Sequence, residues 1–393
     1  MKRTAMKRTL WAFALLMLAV PAWAEKKITV HDLTDMLASL HQYGKSDEEM
    51  SSEMKKCELS EELTRQAMES LAPYLAGPLS TSQLYVLEAR SAMLAPPAAD
   101  MPSLPAPDAA GQKDLIDKAQ SYGAGNFTQL PALTATKTLS RFADDTTTVI
   151  GMAGTSLGTA GPDAYVHTST DSLLHYVRYI GQTAAPVTMD KGVEKRTAKR
   201  DKTRWGENGQ VMPLTTGPAL NTVLQEARTA GKIAWLRWET VNGWQTAVFS
   251  FAVDKKTSHY AIDYCCFPDV GQVGQAGRSG VTQYGDTGNL QNTVDWIDFK
   301  TALPYHGEFF IDAKTGIVVR LVTQGDFKST DLVSKEDQRI DYSPVKVGDK
   351  EMVLPVRTII DTEVIPSGES GAVRHSTRRT LFTIEYKDYK LGG

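Results

Sequence analysis

Apolar positions along this chain follow two successive regimes: a spacing of three and four residues before residue 95, and alternation beyond residue 131. In the first regime Leu33, Met36, Leu37 and Leu40 form a stripe behind Thr29, and Leu63, Ala67, Met68 and Leu71 form another behind Ser60. Such spacing places side chains on one face of a helix, and that face must be buried against another element. Ser46 with Glu49, and Ser80 with Gln83, fit the capping box, in which a hydroxyl and the side chain three residues on satisfy each other's free amides. The pattern therefore predicts short helices, with Gly77-Pro78 breaking one and Ser80 opening the next, which carries Leu84, Leu87 and Met93. Residues 25–95 read as a small helical domain.

The stretch "APPAADMPSLPAP", residues 95–107, resists both helix and central strand and reads as a linker. With a helix expected over residues 112–122, it fills the interval 96–130. In "IAWLRWETVNGWQTAVFSFAV" the Asn242-Gly243 pair is the turn, because both central positions of a type I′ hairpin need positive φ. Ala234, Leu236 and Trp238 are expected on one face of its first strand, and Ala247, Phe249, Phe251 and Val253 on one face of its second. "HGEFFIDAKTGIVVRLV" turns near Gly316, "SPVKVGDKEMVLPVRTIIDTEV" turns near Gly348, and "RRTLFTIEYKDYK" is a last alternating strand. The convincing helix within this half is residues 218–230. Successive hairpins with one or two crossover helices give an α+β chain, its residues 131–393 forming a curved antiparallel sheet, half-barrel-like.

The first residues change the compartment. Lys2, Arg3, Lys7 and Arg8 precede an apolar run over residues 10–20, and Ala22 and Ala24 then supply small side chains. This is the layout of a signal peptide over residues 1–24, cleaved between Ala24 and Glu25, and the run is well short of the ~20 residues of a membrane-spanning helix. No later segment is long and apolar enough to span, so the mature chain is expected to be exported, periplasmic or secreted. Four of the 43 basic residues lie in the leader, so the mature chain is acidic, which argues against a nucleic-acid partner.

Candidate chemistry is sparse. "GTSLG", residues 154–158, matches the nucleophile elbow of hydrolases around Ser156, but that motif needs a strand-to-helix turn in a parallel sheet, and Gly161-Pro162 opposes the helix. "KGVEKRTAKRDKTRW", residues 191–205, reads as a solvated loop or hairpin, or as an electrostatic contact with an anionic surface. The seven histidines are scattered, with no H-E-x-x-H and no C-x-x-C, and His306 and Glu308 share a strand face without a third ligand near in sequence, so no metal or cofactor is expected. In "SHYAIDYCCFPD" alternation puts Tyr260, Ile262, Tyr264 and Cys266 on one face and His259, Ala261, Asp263 and Cys265 on the other. His259 and Cys265 are then about 20 Å apart along the strand, too far for a catalytic pair. Cys57, Cys265 and Cys266 leave three arrangements open: a vicinal bridge, a bond from Cys57 to one of the pair, or thiols throughout.

The succession "LPALTATKTLSRFADD", "KIAWLRWE", "AVFSFAVDKKTSHYAIDYCCFPD", "YHGEFFIDAKTGIVVRLVTQGDF" and "YSPVKVGDKEMVLPVRT" resembles an exported family of acidobacteria that carries no assigned activity. More distantly, "GEFFIDAKTGIVVRLV" and "FTIEYKDYK" are similar to the hairpin and last strand of the outer-membrane lipoprotein carrier and sorting superfamily. That similarity implies a half-barrel whose concave face holds acyl chains. The expectation is a non-enzymatic envelope protein binding an apolar or lipid-like ligand or another envelope component, with Trp235, Trp238, Phe249 and Phe251 near the cavity or in the core. The alternatives are an interaction module docking through its N-terminal helices, and a serine hydrolase using Ser156.

Overall fold

Alternating segments far apart in sequence assemble into one long sheet in the computed structural model, which describes residues 26–98, 101–128, 130–144, 177–190, 193–195, 212–213, 220–268, 296–329, 331, 333–364 and 378–392. The fold is α+β, with six α-helices among the described residues.

The N-terminal part begins with β1 (Lys26–Ile28), which pairs in parallel with β2 (Cys57–Leu59), and between them lie α1 (Val30–Gln42) and α2 (Asp47–Lys55). Both helices start where expected, behind Thr29 and at the Ser46–Glu49 capping box, and the structure adds a second such box between Thr29 and Asp32. Then α3 (Arg65–Leu71) starts behind Thr64 rather than at Ser60, because the chain is still leaving β2 at Ser60, whose amide donates to Ile28 O. Leu33, Leu37, Met50, Met54, Leu63, Leu71, Leu84 and Leu87 form the core of this part.

Ser80 is not an N-cap. Helix α4 (Pro78–Ser91) begins two residues earlier with Pro78 at its first position, where a missing N–H costs nothing. Its free amides are capped by another helix: Asp47 accepts from the Leu79 and Ser80 amides at 2.8 Å each and from the Ser80 hydroxyl at 2.6 Å. Leu84 and Leu87 of α4 face the helical core, while Val86, Ala89 and Ala92 pack on the sheet against Phe142, Ile359 and Leu381. Helix α4 therefore joins the helices to one sheet face.

The linker leads into α5 (Ala109–Thr128), longer at both ends than the expected residues 112–122. Asp108 captures the Gly111 amide and starts the helix early. The strands that follow are β3 (Leu133–Asp144), β4 (Val177–Asp190), β5 (Val193–Glu194) and β6 (Met212–Pro213). After α6 (Leu220–Ala230) come β7 (Ile233–Val241), β8 (Trp244–Val253), β9 (Ala261–Pro268), β10 (Trp296–Ala302), β11 (Tyr305–Asp312) and β12 (Val318–Gly325), then β13 (Val333–Val347), β14 (Lys350–Val364) and β15 (Arg378–Leu391). Ten of these make an antiparallel sheet in the order β5-β4-β3-β15-β14-β13-β12-β11-β8-β7, which does not close into a barrel, and β10-β9-β6 form a second, small sheet. The three expected hairpins are present, with Asn242, Gly243, Gly316 and Gly348 at positive φ in their turns.

Side chains on the face opposite α4 form the main core together with α5 and α6. Leu115 and Ala119 of α5 and Val223, Leu224 and Ala227 of α6 meet Ala247, Phe249, Phe251, Val253, Phe309 and Leu321 there. The sheet is thus covered on both faces, by α4 with its neighbours on one and by α5 and α6 on the other.

Candidate functional site

The four aromatics expected near a cavity converge, and they converge in the core. Phe249 and Phe251 are fully buried, and Phe251 stacks on Phe309 with ring centroids 4.3 Å apart. Trp235 meets Trp238 edge-on at 5.0 Å and Phe249 at 5.5 Å. The face expected for β7 is not the one it buries: a bulge between Trp235 and Arg237 breaks the alternation, so Leu236 is 43% exposed while Trp235 and Trp238 both pack on the main core. The Trp238 indole donates to Pro105 O at 2.8 Å, laying the proline-rich linker against the edge strand.

Beside this aromatic core the same sheet face turns polar. Registered pairs place Phe251, Gly307, Thr323, Gln338, Ile360, Phe382 and Arg141 in one row across seven strands. The next row brings Glu336, Thr362 and Thr380 together on β13, β14 and β15. Glu336 is 1% exposed, Gln338 2% and Thr362 0%. Glu336 Oε2, Gln338 Nε2, Thr362 Oγ1 and Thr380 Oγ1 are inaccessible and meet no hydrogen-bond partner within the protein. A buried polar group left without a partner costs about 1–3 kcal/mol. Groups of this kind call for partners from outside the chain, water or ligand.

The electrostatics of the patch follow from its burial. Burial, and then the neighbouring Asp337, push the Glu336 carboxyl up to about 8, so it is a neutral hydrogen-bond donor and acceptor at neutral pH. Tyr260, wholly buried, borders the patch: its hydroxyl approaches Glu336 O at 3.5 Å and Thr323, and its ring stacks on Tyr305 at 5.2 Å. The Tyr305 hydroxyl donates to Glu226 Oε2 at 2.6 Å, and Glu226 also accepts from the His259 amide at 2.9 Å, which pins α6 to the sheet. Gly307 leaves room for the Phe251 ring, since a Cβ there would lie 2.9 Å from that ring and 1.9 Å from Val322 O. Arg141, paired in register with Gly181 of β4, donates to Thr183 Oγ1 at 3.1 Å. Neutral carboxyl, hydroxyls and amide can bind and orient a polar group; none of them is an activated nucleophile.

The opposite face carries charge instead. Glu62 accepts from Arg339 Nη1 at 2.5 Å and from Arg320 Nη1 at 3.2 Å, and Asp341 bridges the same arginines at 3.1 and 2.7 Å. Arg357 pairs with Glu88 of α4 through both terminal guanidinium nitrogens. All six side chains are buried. Burial favours the neutral acid at Asp341, but Arg320 and Arg339 outweigh it and hold the carboxyl well below the usual range. This layer binds helices to sheet, its charges paired with one another, although Arg357 Nε is buried without a hydrogen-bond partner.

The other expected residues scatter. His306 pairs with Asp326 at 2.8 Å and Glu308 with Arg237 at 2.9 Å, two separate contacts. Among the described residues no three His, Cys, Asp or Glu side chains converge as a metal site. Cys57 is buried in the helical core with its thiol 3.4 Å from Glu53 O. The side chains of Cys265 and Cys266, with Ser156, Ala24, Glu25 and most of the basic stretch, lie outside the described ones. The polar patch itself escaped the sequence reading, although "KEDQR", residues 335–339, has no apolar residue on either face of a central strand, and that was its signal. No described helix is long and apolar enough to cross a membrane. No family model, curated protein or solved structure matches this chain.

Proposed function

We propose that this chain is an exported, non-enzymatic binding protein whose sheet, curved as in the half-barrel carriers its last hairpins resemble, holds an amphiphilic molecule or the lipid-like part of an envelope component. The observation that carries the reading is the cluster of four buried, unpartnered polar atoms on Glu336, Gln338, Thr362 and Thr380, beside the buried aromatics Phe251 and Tyr305. An apolar surface with a few convergent polar groups is the usual make-up of a small-molecule site. The aromatics proposed from sequence, Trp235, Trp238, Phe249 and Phe251, act as the wall of that site and as core. Helices α1 to α4 bury their stripes on one another and on the sheet, which favours the cradle over docking through those helices. The leader-like layout of residues 1–24 supports export.

Native mass spectrometry of the protein purified from an envelope extract tests the reading. A co-purifying small molecule, or a mass shift on adding an envelope lipid mixture, is expected; neither appearing would overturn it.

A further inference from the structure

The chemistry of the patch narrows what it takes. Glu336, Gln338, Thr362 and Thr380 come from three adjacent strands, β13, β14 and β15, held in register by the ladder, so their spacing is set by backbone and not by loops. Gln338 Nε2 only donates, while hydroxyls and a protonated carboxyl both donate and accept. The charged groups around Glu336 are Asp337 on its own strand, on the opposite face, with Lys335 and Asp361 paired there, and Arg141 at the far end of the neighbouring row, engaged with Thr183. Tyr260 faces it from the chain ahead of β9. Ile360 and Phe382 stand between Gln338 and Arg141 in that row, and Phe251 lies on the other side beyond Gly307.

We propose that this patch recognises an uncharged, hydrogen-bonding head group, such as a polyol, sugar or amide, on an amphiphile whose apolar part lies along Phe251, Ile360 and Phe382. The inference rests on the binding reading above and specifies its ligand. A charged head meets no opposite charge among the four groups. A hydroxylated head satisfies donors and acceptors together, and it converts four orphaned atoms into bonded ones. Protonated Glu336 donates to such a head, so alkaline solution, which ionises the carboxyl, releases it.

The test is calorimetric titration of the full mature chain with octyl glucoside, octyl sulfate and octyltrimethylammonium, which share one tail and differ in head charge, each below its micelle concentration at about pH 6. Octyl glucoside is expected to bind about ten-fold more tightly than either charged analogue. Thr362→Val and Gln338→Leu are expected to weaken it about ten-fold each while the thermal midpoint of the free protein holds or rises, since an orphaned atom is removed. A merely structural patch would show the reverse, a lower midpoint with unchanged affinity, and that result overturns the proposal. Equal affinity for all three heads, unaltered by the variants, overturns the head-group assignment and leaves binding standing. Tighter binding of octyl sulfate would overturn it too and point to Arg141. Absence of binding by all three, with no ligand in the envelope preparation, would remove both readings.

Discussion

Removing the Glu62 carboxylate should cost this protein more stability than any exposed ion pair could. Glu62 reaches Arg339 at 2.5 Å and Arg320 at 3.2 Å with all three side chains under 10% exposed, so none of these charges has water to fall back on. In Glu62→Ala, two buried guanidiniums are left sharing Asp341, with Glu239 at 3.7 Å from Arg320 and Ala92 O at 3.1 Å from Arg339 as weaker neighbours. Breaking a buried pair from one side costs about 3–5 kcal/mol, because the desolvated partner stays behind uncompensated. Urea unfolding should show that loss as a lower midpoint at unchanged slope. Lys113→Ala, which breaks a pair with Asp117 that is largely exposed, should shift stability by less than about 1 kcal/mol and serves as the control. Adding Arg339→Met to Glu62→Ala should recover part of the loss, since it removes one of the stranded charges. A Glu62→Ala loss no larger than the control's would refute the reasoning that this layer is desolvated and holds the helices to the sheet.

Three further outcomes follow from single residues. For Glu336, raised from 4.5 to about 8, the folded chain keeps a proton that the unfolded chain has released between those values, so stability is greatest in acid and falls by up to about 5 kcal/mol as pH rises through that window. Glu336→Gln should flatten that fall and exceed the wild type above about pH 8; parallel stability–pH curves would refute the assignment. Gly307→Ala, whose Cβ would stand 1.9 Å from Val322 O, should cost about 1–3 kcal/mol or more by thermal unfolding, and a neutral result would contradict the close pairing of β11 and β12. Asp47→Ala should cost about 1–2 kcal/mol, because it uncaps α4 rather than its own helix, while Gln83→Ala should cost no cap; equal effects would restore Ser80 and Gln83 as the capping pair.

What could be read from the chain was what its neighbours in sequence decide. Thr29 with Asp32 and Ser46 with Glu49 cap their helices within three residues, and Asn242-Gly243, Gly316 and Gly348 turn their hairpins within five. Alternation likewise identified Ala247, Phe249, Phe251 and Val253 as one buried face. Prediction failed where the deciding partner lay elsewhere: Ser80 lost its cap to Asp47, thirty-three residues away, and the bulge at Leu236 turned Trp238 to the face of Trp235. Period two states that a residue lies on a face, but it does not state which strands stand beside it. The insertion of β15 between β3 and β14, and the alignment of Glu336 with Thr362 and Thr380, run perpendicular to the chain. Composition and periodicity are properties along the chain and determined the helices, hairpins and class of this fold. The polar patch and the ionic layer are properties across it, set by hydrogen-bond register between distant strands, and only the tertiary structure decided them.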